Sequence, residues 1–423
     1  MTQTIPSKLS SSKPLSPPSI QLSSPTSRIE ICHFGTSDEL EPISESHGFL
    51  GSTSFSATIQ HGNLTEESEG QSVQEALVSG YTSEISSSAH LQLAIKVLRQ
   101  LPTEQTCHCL LDWYMTNLAE MGFHEASIRV SLEALWSTFG KLLSDPRSST
   151  DLHSLAKTIF RNASVPLKLE GPEDAIEWIA TFSGPNTRWE TLGMLFLAFS
   201  YALLSLPENE MSKLFGERAE NKQELIAEMK DCVEACIELC RSSLNTLVCN
   251  LLYTNMLLET VLRGDASKFC PAPASCLLSA NSFEGLSAWR LHNELIGTAV
   301  AYGLHCYQGG ATITAQSEMT KRLSGCIFWS DKELSMFTGR PPSLSHRYYS
   351  CPLPLDLNDD TLMAGGQLLE DEINSLDENG WNTQGRIFNA TLCRMSVQHA
   401  FIQDDIMELF IGNQAQWSQQ RLE

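Results

Sequence analysis

The chain has 423 residues, 42% of them hydrophobic, enough for one large core or two to three ordinary domains. Lys and Arg number 28 against 50 Asp and Glu, a formal net charge of -22. Such a chain repels nucleic-acid phosphates unless a basic patch offsets its field; the densest basic spot, Lys321-Arg322, is a pair and not a run, which argues against direct DNA binding.

Residues 1–45 form a leader in which Pro6, Pro14, Pro17, Pro18 and Pro25 are interleaved with serine and apolar residues stand alone. That composition buries too little surface to offset the entropy of ordering, which predicts disorder, and it contains no apolar core of the secretory kind. Residues 46–88 stay acidic and serine-rich and read as mostly irregular, with HGFLGSTSF at 47–55 as a short ordered patch.

From residue 89 the period changes to 3.6. In HLQLAIKVLRQLP the apolar residues Leu91, Ala94, Ile95, Leu98 and Leu101 share one face, and Pro102 ends the run. CLLDWYMTNLAE follows, then a helix carrying Ile128, Leu132, Leu135, Trp136 and Phe139. Asp174-Ala-Ile-Glu-Trp-Ile, Trp189–Leu206, Lys222–Arg263, 284–304 and 316–338 continue the series. The apolar stretch Leu192–Leu206, bounded by Glu190 and Pro207, is too short to span a bilayer and reads as a buried helix. Alternating patterns long enough for strands are nearly absent. The expected fold class is all-α: a multi-helix domain over 89–412, followed by a short tail at 413–423. No fixed-period repeat supports a solenoid.

Candidate chemistry is sparse. Cys107-His108-Cys109 is too tight for the usual zinc spacing and lacks a second pair, so it reads as a helix start with a buried thiol. Cys232, Cys236 and Cys240 recur every four residues, a stripe suited to a helix interface. With thirteen cysteines scattered along a chain that has no signal segment, free thiols are expected. The glycine-rich phosphate loops, the metalloprotease His-Glu-x-x-His and the hydrolase Gly-x-Ser-x-Gly do not occur. Asp359-Asp360 and Glu370-Asp371-Glu372 read as solvated helix starts. No catalytic, metal-binding or cofactor-binding residue is therefore assigned, and the chain is expected not to be an enzyme.

The run ending at FTGRPPSLSHRYYSCPLPLD (337–356) is more informative. Met319, Leu323, Cys326, Ile327, Leu334 and Phe337 share a helix face; Glu318 is in register with Lys321 at i+3 and Arg322 at i+4, and Asp331 borders the buried face. Gly339 fits the residue just past a helix end, Pro341 forbids continuation, and Arg340 before it is pushed to extended geometry. The stretch is therefore expected to leave the helix as a docked strap.

These residues resemble a known family. GLSAWRLHNELIGTAVAYGLH (285–305) and SEMTKRLSGCIFWSDKELSMFTGRPPSLSHRYYSCPLPLDLNDD (317–360) are similar to the middle homology region of fungal zinc-cluster transcription factors. HGFLGSTSF, GPNTRWETLGMLF (184–196), SSLNTLVCNLLYTNMLLETVLRGD (242–265) and DENGWNTQGRI (377–387) follow the same family order. The family's six-cysteine, two-zinc cluster is built on Cys-x2-Cys pairs, and no Cys-x2-Cys occurs in these 423 residues.

The resemblance implies an all-α, non-catalytic regulatory domain of a nuclear transcriptional regulator, here without its own DNA-reading cluster. Such a regulator controls a metabolic pathway, secondary metabolism among them. Its implied partners are a DNA-binding transcription factor or the transcription machinery, with a small-molecule effector as a further ligand and no membrane. Trp289, Arg290, Glu318, Arg322, Asp331, Gly339, Arg340, Pro341 and Pro342 are then an architectural signature, and Arg340 is expected to fold back onto a helix carboxylate such as Asp331. Two alternatives stay open: a small-molecule-binding or recruited enzymatic helical domain, and an incomplete product of a gene for a complete DNA-binding factor.

Overall fold

A computed structural model describes residues 88–118, 125–263 and 286–411. The expected disordered leader, most of the 46–88 segment with its HGFLGSTSF patch, and the 413–423 tail lie outside the described residues. Within them the regular structure is helical and contains no strand, the all-α class the 3.6-residue period predicts.

α1 (Ser88–Gln100) buries Ala94, Ile95, Val97 and Leu98. α2 (Glu104–Leu118) and α3 (Glu125–Leu143) follow. α4 (Ser149–Ala163) begins at Ser148, whose hydroxyl accepts from the Thr150 amide. α5 (Ala175–Ala180) begins at Asp174, whose carboxylate accepts from the amides of Ile176 and Glu177 at 2.8 and 2.9 Å.

α6 (Trp189–Ser205) is the hub. Every residue from Trp189 to Leu203 is buried, because α2, α8 (Lys222–Leu239) and α9 (Thr246–Arg263) surround it. α7 (Glu208–Phe215) lies between α6 and α8 in sequence. The helical run expected over Lys222–Arg263 is divided between α8 and α9: the Asn245 side chain accepts from the Val248 amide at 2.9 Å and starts a new helix. The stripe Cys232, Cys236 and Cys240 is buried, and Cys107 is buried while Cys109 is exposed. No metal-binding group of His, Cys, Asp and Glu occurs among the described residues, and no described helix is long and apolar enough to cross a membrane.

A buried polar knot fixes the α6 entrance. The Arg188 guanidinium donates to the carbonyls of Asn162 and Ala163 at the end of α4 and of Val165 beyond it, at 2.7, 2.9 and 2.7 Å. The carbonyls of Asn162 and Ala163 belong to the last turn of α4, where a helix leaves acceptors without intrahelical partners. Arg188 also pairs with buried Glu190 at 3.1 Å, and Glu190 accepts from Asn245 at 2.9 Å. Three helix ends, those of α4, α6 and α9, are thereby held by one ion pair.

The remaining helices are α10 (Leu286–Tyr302), α11 (Ala315–Thr338), α12 (Asp359–Ala364), α13 (Gly366–Asn374) and α14 (Asn389–Ile411). α11 and α14 run in the same direction along each other. Gly325 allows the close approach: a Cβ there would lie 2.6 Å from a methyl of Val397.

Candidate functional site

The candidate site is the strap after α11 and the buried charges that hold it. α11 starts with a capping box between Thr314 and Ser317 and ends at Gly339, whose φ of 63° places it in the left-handed region. Most of α11 is buried, including Glu318, Arg322, Ser324, Asp331 and Lys332, so each of these polar groups needs a partner.

Asp331 receives four donors. His292 Nε2 on α10 lies 2.9 Å from it, Lys332 Nζ 2.9 Å, and the strap amides of Ser343 and Leu344 3.0 Å each. Burial alone raises the carboxyl pKa, but the His292 hydrogen bond and the Lys332 charge together outweigh it, and the net shift is downward. An ionised carboxylate only accepts, so His292 carries its proton on Nε2; its buried Nδ1 has no partner. Lys332 also donates to the Leu344 carbonyl, lies 4.5 Å from the centre of the Phe328 ring and reaches Asp404 on α14 at 3.1 Å. Asp404 accepts from the His346 amide and from His346 Nδ1 at 2.8 and 2.7 Å. Residues 343–346 are thus gripped from α11 and α14 together. Tyr349 completes the lock, stacking on Phe328 at 4.3 Å.

Downstream, Glu318 pairs with Lys321 at 2.7 Å and accepts from the Leu355 amide at 2.6 Å. Arg322 pairs with Asp359 and donates to the Leu357 carbonyl at 3.2 Å. Asp359 also accepts from Asn389 at 2.9 Å. Arg394 on α14 donates to the carbonyls of Pro354 and Asn379 and lies 4.2 Å from the centre of the Trp381 ring. Asp356 accepts from Asn382 and Thr391.

Two expected pairings are corrected. The i+4 partner foreseen between Glu318 and Arg322 does not form; Arg322 turns to Asp359 because Glu318 is already engaged by Lys321 and Leu355. Arg340 does not fold onto Asp331, whose oxygens are taken by His292, Lys332, Ser343 and Leu344. Its guanidinium lies instead 5.0 Å from the centre of the Trp289 ring. Of the other signature residues, Arg290 and Pro341 are exposed and Pro342 is half-buried. Sequence reasoning missed His292, Asp404 and Arg394 as members of this network. The available signal was polar residues standing at buried positions of the helical period.

A second feature is a surface cleft of about 420 Å³ between the α4–α5 connection, Trp178 and Phe182, the start of α9 and Gln316. Gln316 is buried, donates to the carbonyls of Lys168 and Leu169, and has no partner for its Oε1.

Residues 276–395 match the family described as fungal specific transcription factor domain. The match takes in α10, α11, the strap, α12, α13 and the first turns of α14. No curated protein and no solved structure matches the chain.

Proposed function

We propose, from the match of residues 276–395 to the fungal specific transcription factor domain, that the chain is a nuclear transcriptional regulator that reaches DNA through a partner protein. The observation that carries the reading is the coincidence of the matched segment with the strap network. Its buried charged side chains, Glu318, Arg322, Asp331, Lys332, Asp356 and Arg394, hold helices and strap together, which is the work of an architectural domain. Support for the partner comes from the charge of -22. Control of a metabolic pathway belongs to the same reading.

The test is tethering: the chain is fused to a foreign DNA-binding domain and a reporter downstream of its operator is read. A change in reporter output, up or down, is expected, and an unchanged reporter contradicts regulation. Sequence-specific DNA binding by the purified chain alone contradicts the partner requirement.

The cleft favours a second reading, a small-molecule effector held by the same domain. Trp178, Phe182 and Leu247 offer an apolar wall, and the free Gln316 Oε1 offers an acceptor to a ligand that donates a hydrogen bond. Quenching of Trp178 fluorescence across a panel of aromatic alcohols and amides, lost in Gln316→Leu, is the expected result; no quenching by any of them contradicts it.

A further inference from the structure

The surface of α14 that faces away from α11 carries a pattern the regulatory reading does not use. Leu392, Met395, His399, Ile402, Ile406 and Leu409 are spaced 3, 4, 3, 4 and 3 residues apart. All six are exposed; the five apolar ones range from 40% to 58%. The opposite side of the same helix, Cys393, Val397, Ala400, Asp404 and Met407, is the buried one. A straight helix needs no strict 3.5-residue spacing on a solvated face. That spacing is what keeps an apolar seam against a second helix over several turns.

We propose that this seam is a self-association surface, on which α14 of a second copy packs antiparallel about a two-fold axis. The two-fold passes between His399 and Ile402. It sets Leu392 opposite Leu409 of the other copy, Met395 opposite Ile406 and His399 opposite Ile402, so every layer holds at least one large apolar side chain. A parallel pair would instead set the two His399 rings in one layer. The seam is self-complementary, as an isologous contact requires.

Charge and area both admit this occupant. On a chain of net charge -22, two copies repel over most of their surfaces. The solvated flanks of this seam are Thr391, Ser396, Gln398 and Asp405, a single charge among four, while Gln403 is buried and donates to Glu333 on α11. The antiparallel register sets Asp405 beside Gln398 of the other copy, so no like charges meet. Nearby Glu408 is neutralised by Arg347 at 2.7 Å. Phe410, 76% exposed, extends the apolar surface at the end of the helix. Covering these side chains and their flanks on two copies removes on the order of 1,000 Å² from water, the size at which an interface becomes specific.

The test is the mass of the full chain in solution over a range of concentrations, for the wild type and for Ile402→Asp with Ile406→Asp. A wild-type dimer that becomes a monomer in the double variant, with helicity unchanged by circular dichroism, is the expected result. Register is read by mixing a Leu392→Cys chain with a Leu409→Cys chain under mild oxidation. A covalent pair forms between the two chains, and Leu392→Cys alone gives none through that position. A wild-type monomer at every concentration overturns the proposal. A dimer that survives the double variant, or one cross-linked from Leu392→Cys to Leu392→Cys, overturns it as well.

Discussion

The ammonium of Lys332 on α11 lies 3.1 Å from the carboxylate of Asp404 on α14, and both side chains are buried. Lys332 is also bonded to Asp331, while Asp331 and Asp404 each hold strap amides. One cation therefore sits between two carboxylates that together fix the extended segment to two parallel helices. Removing it leaves both anions buried and short of a partner. We expect Lys332→Ala to cost about 3–5 kcal/mol in denaturant unfolding. The strap loosens first, so tryptic cleavage after Arg347 rises well before the helices melt.

The pH dependence follows from Asp331. Its folded pKa lies below the unfolded value of roughly 3.9, because the His292 bond and the Lys332 charge overcome the opposing effect of burial. A lowered carboxyl pKa gives stability that is complete above the unfolded value and is lost as pH falls through the folded one. Acid titration of unfolding stability should show a loss below about pH 4, and Asp331→Asn should flatten that limb while lowering stability at neutral pH. An acid limb as steep in the variant as in the wild type contradicts the assignment.

Gly325 controls how closely α11 and α14 approach. A Cβ would sit 2.6 Å from Val397 Cγ2, and valine is stiff at χ1, so the contact cannot yield cheaply. Gly325→Val is expected to destabilise by about 1–3 kcal/mol in urea unfolding. Adding Val397→Ala should return part of that loss, a coupling expected only of residues in contact.

The thiols divide by burial. Desolvation pushes Cys107, Cys232 and Cys249 up to about 12 and Cys351 up to about 11, and Cys236 and Cys240 are raised as well. Among the described cysteines, exposed Cys109 should be alkylated first in the native chain, half-buried Cys306 more slowly, and the buried ones only after unfolding. Peptide mass spectrometry after timed iodoacetamide treatment reads the order. Rapid native labelling of Cys232 or Cys236 contradicts the packed α6–α8 interface.

The sequence was legible where the determinants are local. The 3.6-residue period located α1, α6, α10 and α11, and Gly339 with Pro341 marked the end of α11, because periodicity and cap geometry depend on neighbours in the chain. Glu318 with Lys321 formed as an i+3 rule predicts. Arg322 and Arg340 escaped that logic. Asp359, the partner of Arg322, lies 37 residues away, and the strap amides occupied Asp331 before Arg340 could. Asp404 belonged to the site for a tertiary reason alone, the parallel docking of α14 on α11, which no spacing within either helix encodes.

The most direct test of the regulatory reading is genome-wide chromatin occupancy of the tagged full chain, compared with the transcripts that change when it is removed. Discrete enrichment at promoters of the responding genes is expected. Uniform background occupancy, with no overlap between bound promoters and changed transcripts, would contradict it.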